Sequence, residues 1–219
     1  MLQILFNFFI GAALASHAGV IYDRYNLEDF AFTRSKCASC KMPLSLLDEI
    51  PIISFLLLKG KCRNCKQEIP PHLFIIEFIG GLSFIDLNFN VPSIFEFLFR
   101  FFLLIIAIFD YYEKEFPTIF LIPLVIISFG QFDAQLLYNL VLLLPLAIIM
   151  FIFAIKGKMG FGDLYLYLIL SIHYGSMSSN IAFLVASILS IIVYLLEKQN
   201  DSIPFIPYIY VGVLFANLL

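Results

Sequence analysis

The chain has no tryptophan, only four cysteines and three histidines, and few charges. Charged residues make up 13% of it, against ~25% in soluble proteins. With 62% hydrophobic residues and a mean hydropathy of +0.98, its 219 residues hold too little polar surface to cover a soluble fold. The sequence therefore predicts an all-α polytopic integral membrane protein with the lipid bilayer as its solvent. Without tryptophan, anchoring at the membrane interfaces falls to tyrosines such as Tyr111, Tyr112, Tyr165, Tyr167, Tyr208 and Tyr210. No P-loop, dinucleotide fingerprint or Ser/His/Asp set is present, and no nucleic-acid partner is expected. No internal repeat stands out beyond the apolar runs. The first run lacks a basic n-region and a clear A-x-A site, so it is expected to remain as a first span.

A spanning helix needs ~20 mostly apolar residues. Eight runs approach this: residues 2–22, 73–89, 92–109, 117–132, 135–155, 164–174, 180–196 and 203–219. The fourth is weak. The sixth is so short that its helix must start within Gly160–Asp163 or stop before the far side. Basic residues set the orientation, because they collect on the cytoplasmic side. Arg24, Arg34, Lys36, Lys41, Lys59, Lys61, Arg63 and Lys66 lie in the long loop 23–72. Lys114, Lys156, Lys158 and Lys198 lie in every second connection after it, and the alternate connections carry none. Only Arg100 falls inside a run, four residues after its expected partner Glu96. Twelve of the thirteen basic residues thus agree on termini outside and a cytoplasmic loop 23–72. Three parts are expected: a first span over 1–22, a cysteine module over 23–72, and a region of about seven spans over 73–219.

The loop holds all four cysteines, as Cys37-Ala-Ser-Cys40 and Cys62-Arg-Asn-Cys65. Two C-x-x-C turns can present four thiolates to one tetrahedral zinc ion. Two disulfides are the alternative, disfavoured in a reducing cytoplasm. Four cysteines leave no open position for water, so the zinc is expected to be structural. A segment this small also needs such a clip to hold a fold.

The second polar feature is the stretch Lys158-Met-Gly160-Phe-Gly162-Asp163 between two apolar runs. An ionisable residue at membrane depth is a functional candidate by default, and glycines let another chain approach the backbone. The charge pattern puts Asp110, at the end of the third run, at the same cytoplasmic depth as Asp163. Two close carboxylates share one proton, the arrangement an aspartic protease needs. The alternative is that both are ordinary caps at helix ends. Glu77, near the cytoplasmic end of the second run, is a candidate to support a ligand or a substrate amine. Asp86, near its outer end, is expected to reach water. An ion path through Asp110, Asp163 and Glu77 in a zinc-stabilised transporter is the alternative from another class.

Taken together these motifs resemble the type IV prepilin peptidases (prepilin leader peptidases and N-methyltransferases), in particular the competence-associated branch of Gram-positive bacteria. Gly160-Phe-Gly162-Asp163 matches the family's G-x-G-D, and Asp110 followed by Phe116-Pro117 matches its first-aspartate motif. Residues 34–40, 50–54 and 60–65 match the cysteine module, and Ile203-Pro-Phe-Ile-Pro207 resembles the closing I-P-F-G-P. The resemblance implies a G-x-G-D aspartic endopeptidase of the bacterial plasma membrane that cleaves prepilin and pseudopilin leaders at the cytoplasmic face. It implies Asp110 and Asp163 as the catalytic pair, supported by Gly160, Gly162, Lys158, Glu77 and Pro117. It also implies Cys37, Cys40, Cys62 and Cys65 as zinc ligands, and often methylation of the new N-terminus with S-adenosylmethionine. The chain departs from the family at Ala15 and Gly19 in the first run, at Tyr165, where a lysine is common, and at Ile206, where the closing motif has glycine. No standard pattern for binding S-adenosylmethionine is visible.

Overall fold

The computed structural model describes residues 1–25, 34–86, 91–130, 136–197 and 202–217. Lys198 and the connections at 88–90, 131–133 and 200–201 lie outside these residues. Among the described residues the fold is helical, and its only β pairing is two isolated bridges in the cysteine module. A helix falls on each of the eight apolar runs. Two are long and apolar enough to cross a membrane, Leu2–Arg24 and Ser176–Leu196; five shorter apolar helices accompany them. The chain divides into two compact units, Met1–Phe101 and Phe102–Leu219.

In the N-terminal unit, α1 (Leu2–Arg24) pairs with α3 (Pro71–Ser83). The pairing needs small residues. A Cβ on Gly80 would overlap the Ala15 side chain, and one on Gly11 would sit 2.5 Å from the Gly80 carbonyl oxygen. Such close crossings are how apolar helices gain packing energy where lipid removes the hydrophobic drive between them. A single turn, α2 (Ile53–Leu57), precedes α3, and Phe55 stacks obliquely on Phe74 of α3. The long helix α4 (Val91–Glu113) carries Arg100, which is 5% exposed. Its guanidinium binds the expected Glu96 and also donates to Asp86 at 2.7 and 3.1 Å and to the Ser83 carbonyl. Asp86 is therefore the second counter-ion of a buried arginine as well as a partly exposed group. A buried charge needs this degree of pairing.

In the C-terminal unit a short turn, Thr118–Phe120, leads into α5 (Leu121–Phe129), followed by α6 (Leu136–Ile155) and α7 (Phe161–His173). Then come α8 (Ser176–Glu197) and α9 (Ile206–Ala216). Gly212 lets α9 lie against the α8 backbone at Ala182, where a Cβ would collide with the carbonyl. α7 is the buried centre: Leu166, Tyr167 and Leu170 are all fully buried. The Tyr167 hydroxyl donates to Asn180 Oδ1 on α8 at 2.7 Å. That bond fixes the rotation of α7 one turn beyond Asp163.

Candidate active site and metal centre

α4 ends because Lys114 takes a left-handed conformation (φ 58°) and Pro117 follows three residues later. Asp110 stands in its last turn, 7% exposed. Its Oδ2 accepts the Ile206 N–H at 2.8 Å, and the Phe205 N–H also points at it. The closing motif at residues 203–207 therefore meets the first aspartate. Sequence reasoning missed this contact. The usable signal was Pro204 and Pro207 framing the start of a helix, whose N–H groups seek an anion.

α6 stops at Ile155, where Gly157 adopts φ 65°. After an extended Gly160, α7 begins at Phe161, so Asp163 lies inside its first turn. This resolves the short sixth run: the helix starts within the glycine stretch. Gly162 has a role that spacing alone did not reveal. A Cβ there would come within 2.7 and 2.9 Å of the Phe116 ring. The second glycine of G-x-G-D thus makes room for the aromatic residue of the Asp110 motif. That contact brings the segment after Asp110 against the residue before Asp163, so the two carboxylates fall in one region, within electrostatic reach of each other. Lys158 is exposed in the turn before α7, and Pro117 caps the short turn at 118–120.

Glu77 belongs to a different arrangement, within the N-terminal unit. Its Oε2 accepts the Ile52 N–H at 2.7 Å, and Ser16 is a second partner. Ile52 is held at φ 63°, a left-handed conformation that is an outlier for a β-branched residue. Glu77 is thus a brace for the strained Ile50-Pro51-Ile52 turn.

The four cysteine sulfurs lie within 4.8 Å of one another, and Cys37 Sγ and Cys65 Sγ are 3.9 Å apart. A tetrahedral Zn–S₄ site has S···S edges of ~3.8 Å from Zn–S bonds of ~2.3 Å. The cysteine set therefore could hold a metal ion once its wider sulfur pairs draw in slightly, and no two of the cysteines form a disulfide. Two turns with the same backbone hydrogen-bond pattern build it. Lys41 N–H bonds to Cys37 O and Cys37 N–H to Met42 O; Lys66 N–H bonds to Cys62 O and Cys62 N–H to Gln67 O. Lys41 and Lys66 are both left-handed, at φ 58° and 61°, and the bridges Lys36–Pro43 and Lys61–Glu68 close each turn. Lys-Cys-x-x-Cys-Lys is therefore a short internal repeat, contrary to expectation; six residues were too few to stand out. The N–H groups of Cys40 and Ser39 favour the Cys37 thiolate and bring its pKa down to about 6. At Cys65 the Gln67 N–H also favours thiolate, but loss of water and the three neighbouring thiols outweigh it and push the pKa up to about 11. The neighbouring thiols thus oppose one another's ionisation, and a dication binding there would displace the remaining protons.

Residues 9–91 match the family model described as bacterial peptidase A24 N-terminal domain. The chain is 30% identical to a prepilin leader peptidase/N-methyltransferase of Klebsiella pneumoniae, over 62% of this chain and 61% of that protein. It is also 30% identical to one from Vibrio cholerae, over 46% of this chain and 42% of the relative. A protein of the same description from Pseudomonas putida is 26% identical over 87% of this chain and 73% of its own length. These likenesses support the type IV prepilin peptidase family. The chain spans 61% of the Klebsiella relative and less of the Vibrio one. No solved structure matches.

Proposed function

We propose that this chain is a membrane aspartic endopeptidase that removes the leader from prepilin or pseudopilin precursors at the cytoplasmic face of the bacterial plasma membrane. The carrying observation is the packing of Phe116, from the Asp110 motif, on Gly162, the residue before Asp163, which draws together two aspartates that each stand at the end of an apolar helix. One carboxylate takes a proton from water as the oxygen attacks the scissile carbonyl, and the other hydrogen-bonds the carbonyl oxygen. The gem-diol then collapses, the C–N bond breaks, and the leaving amine takes up a proton. Eight spans with both termini outside would put both aspartates and the cysteine module on the cytoplasmic side. In this reading residues 1–22 are the first span, 23–72 the zinc module and 73–219 the peptidase region. Cys37, Cys40, Cys62 and Cys65 would hold zinc, which supplies a structural cross-link and leaves the chemistry to the aspartates.

The relatives, described as prepilin leader peptidase/N-methyltransferases, also support a second step, methylation of the new N-terminus with S-adenosylmethionine as donor. One experiment tests both steps. Purified protein in lipid is incubated with a candidate prepilin and S-adenosylmethionine, and the N-terminus of the product is read by mass spectrometry. Cleavage with the mass of one added methyl supports the bifunctional enzyme, and cleavage alone supports a peptidase. An uncut substrate together with ion flux in vesicles favours the transporter alternative.

A further inference from the structure

Resting on the catalytic pair proposed above, we infer that the two aspartates hold fixed and different roles: Asp110 enters the reaction as the base and Asp163 as the proton donor, and the backbone N–H groups of Phe205 and Ile206 set the difference.

The asymmetry is in the hydrogen bonding. Asp110 accepts N–H groups from Ile206, at 2.8 Å, and from Phe205. Both lie at the start of α9, where helix geometry leaves N–H groups unpaired and the helix dipole favours negative charge. The supply of donors there is narrow. Pro207 has no N–H, and the Tyr208 and Ile209 N–H groups are already given to the Phe205 carbonyl, at 3.1 and 3.2 Å. The two donors that remain are both directed at Asp110. Asp163 has no such partner among the described residues; what acts on it is burial and the charge of Asp110. Glu113, Lys114 and Glu115, the other charged groups near the end of α4, are exposed.

Hydrogen bonds to the charged form of a carboxylate favour that form. The single negative charge of the pair therefore settles on Asp110, and the shared proton on Asp163. On attack, the water proton passes to Asp110 while Asp163 gives its proton to the carbonyl oxygen, forming the gem-diol. On collapse, Asp110 returns its proton to the leaving nitrogen, and one gem-diol hydroxyl returns a proton to Asp163. The C–N bond breaks and both carboxyls regain their starting states. Phe205 and Ile206 act through Asp110, so theirs is a positioning role.

The test replaces the amide N–H of Ile206 by an ester oxygen, incorporating the matching hydroxy acid during synthesis of the full chain in lipid. The same replacement at Tyr208, which removes only the bond to Phe205, is the control. The expected result is a fall in kcat of roughly tenfold with KM unchanged. The acid-side limb of the kcat/KM profile should also move to higher pH, since a carboxylate stripped of a donor protonates more readily. The Tyr208 ester should keep the parent values. Ile206→Pro deletes the same N–H, at the added cost of a proline after the αR residue Phe205, and should reproduce the shifted limb. An unchanged kcat and acid limb in the Ile206 ester of an enzyme that cleaves prepilin overturns the role assignment and leaves the peptidase standing. A parent protein that cleaves no prepilin overturns both.

Discussion

The cysteine module and the aspartate site are built in opposite ways. Each half of the module is a local turn of eight residues closed by its own backbone bonds. The aspartate site draws on three distant segments, at 110–116, 160–163 and 205–206. In the proposed zinc module one ion would join two halves that are each already folded. The aspartate site needs helices α4, α7 and α9 to pack correctly before any of its groups meet. Local turns withstand change outside them, whereas a site made by packing is sensitive to small changes in volume.

The comparison can be broken in graded steps. The largest effect is expected at the carboxylates. Asp110→Asn or Asp163→Asn should lower prepilin cleavage by about three orders of magnitude in a protein that still folds in lipid, measured by leader release. Wild-type rates in either variant would remove that residue from the site. Next, Cys62→Ser, or stripping metal with a chelator, should abolish metal binding and unfold the module, read by elemental analysis and thermal melting. The variant should still contain helical α7 and α9, because their packing lies in the other unit.

A smaller loss is expected from Gly162→Ala, whose methyl group must displace the Phe116 ring. Cleavage should fall about tenfold, consistent with overpacking penalties of ~1–3 kcal/mol. Adding Phe116→Leu should restore part of the rate. If the double variant is no better than the single one, the ring contact is not the reason for the glycine.

The smallest effect belongs to Asp48, whose carboxylate is bound by Arg63 at 2.7 Å and by Ser45. These bonds hold its pKa below the usual carboxylate value. A depressed folded-state pKa contributes stability above the unfolded value of ~3.9 that is lost as pH falls through the folded one. Thermal midpoints of wild type and Asp48→Asn should therefore differ slightly at neutral pH and converge as acid protonates the folded-state carboxylate. A gap that widens in acid would contradict the pairing.

Much of this was legible in the residues. The helical fold, the four-cysteine cluster and the Arg100–Glu96 pair all follow from short spacings or composition. The early start of α7 was one of the two outcomes that eleven apolar residues left open. The Lys-Cys-x-x-Cys-Lys repeat was present but short. The role of Glu77 was not legible, because its partner is a backbone N–H on a strained residue 25 positions away. Side-chain patterns carry no record of backbone donors.

The sequence by itself determined the apolar character of the chain, the alternating placement of its basic residues, the four-cysteine cluster and the two aspartates proposed as the catalytic pair. Those depend on composition and on contacts within a few residues. Tertiary structure alone decided that Phe116 packs on Gly162, that Glu77 braces Ile52, and that the start of α9 serves Asp110. Each joins segments far apart in the chain through a volume or a backbone N–H, and neither leaves a periodic trace in the order of amino acids.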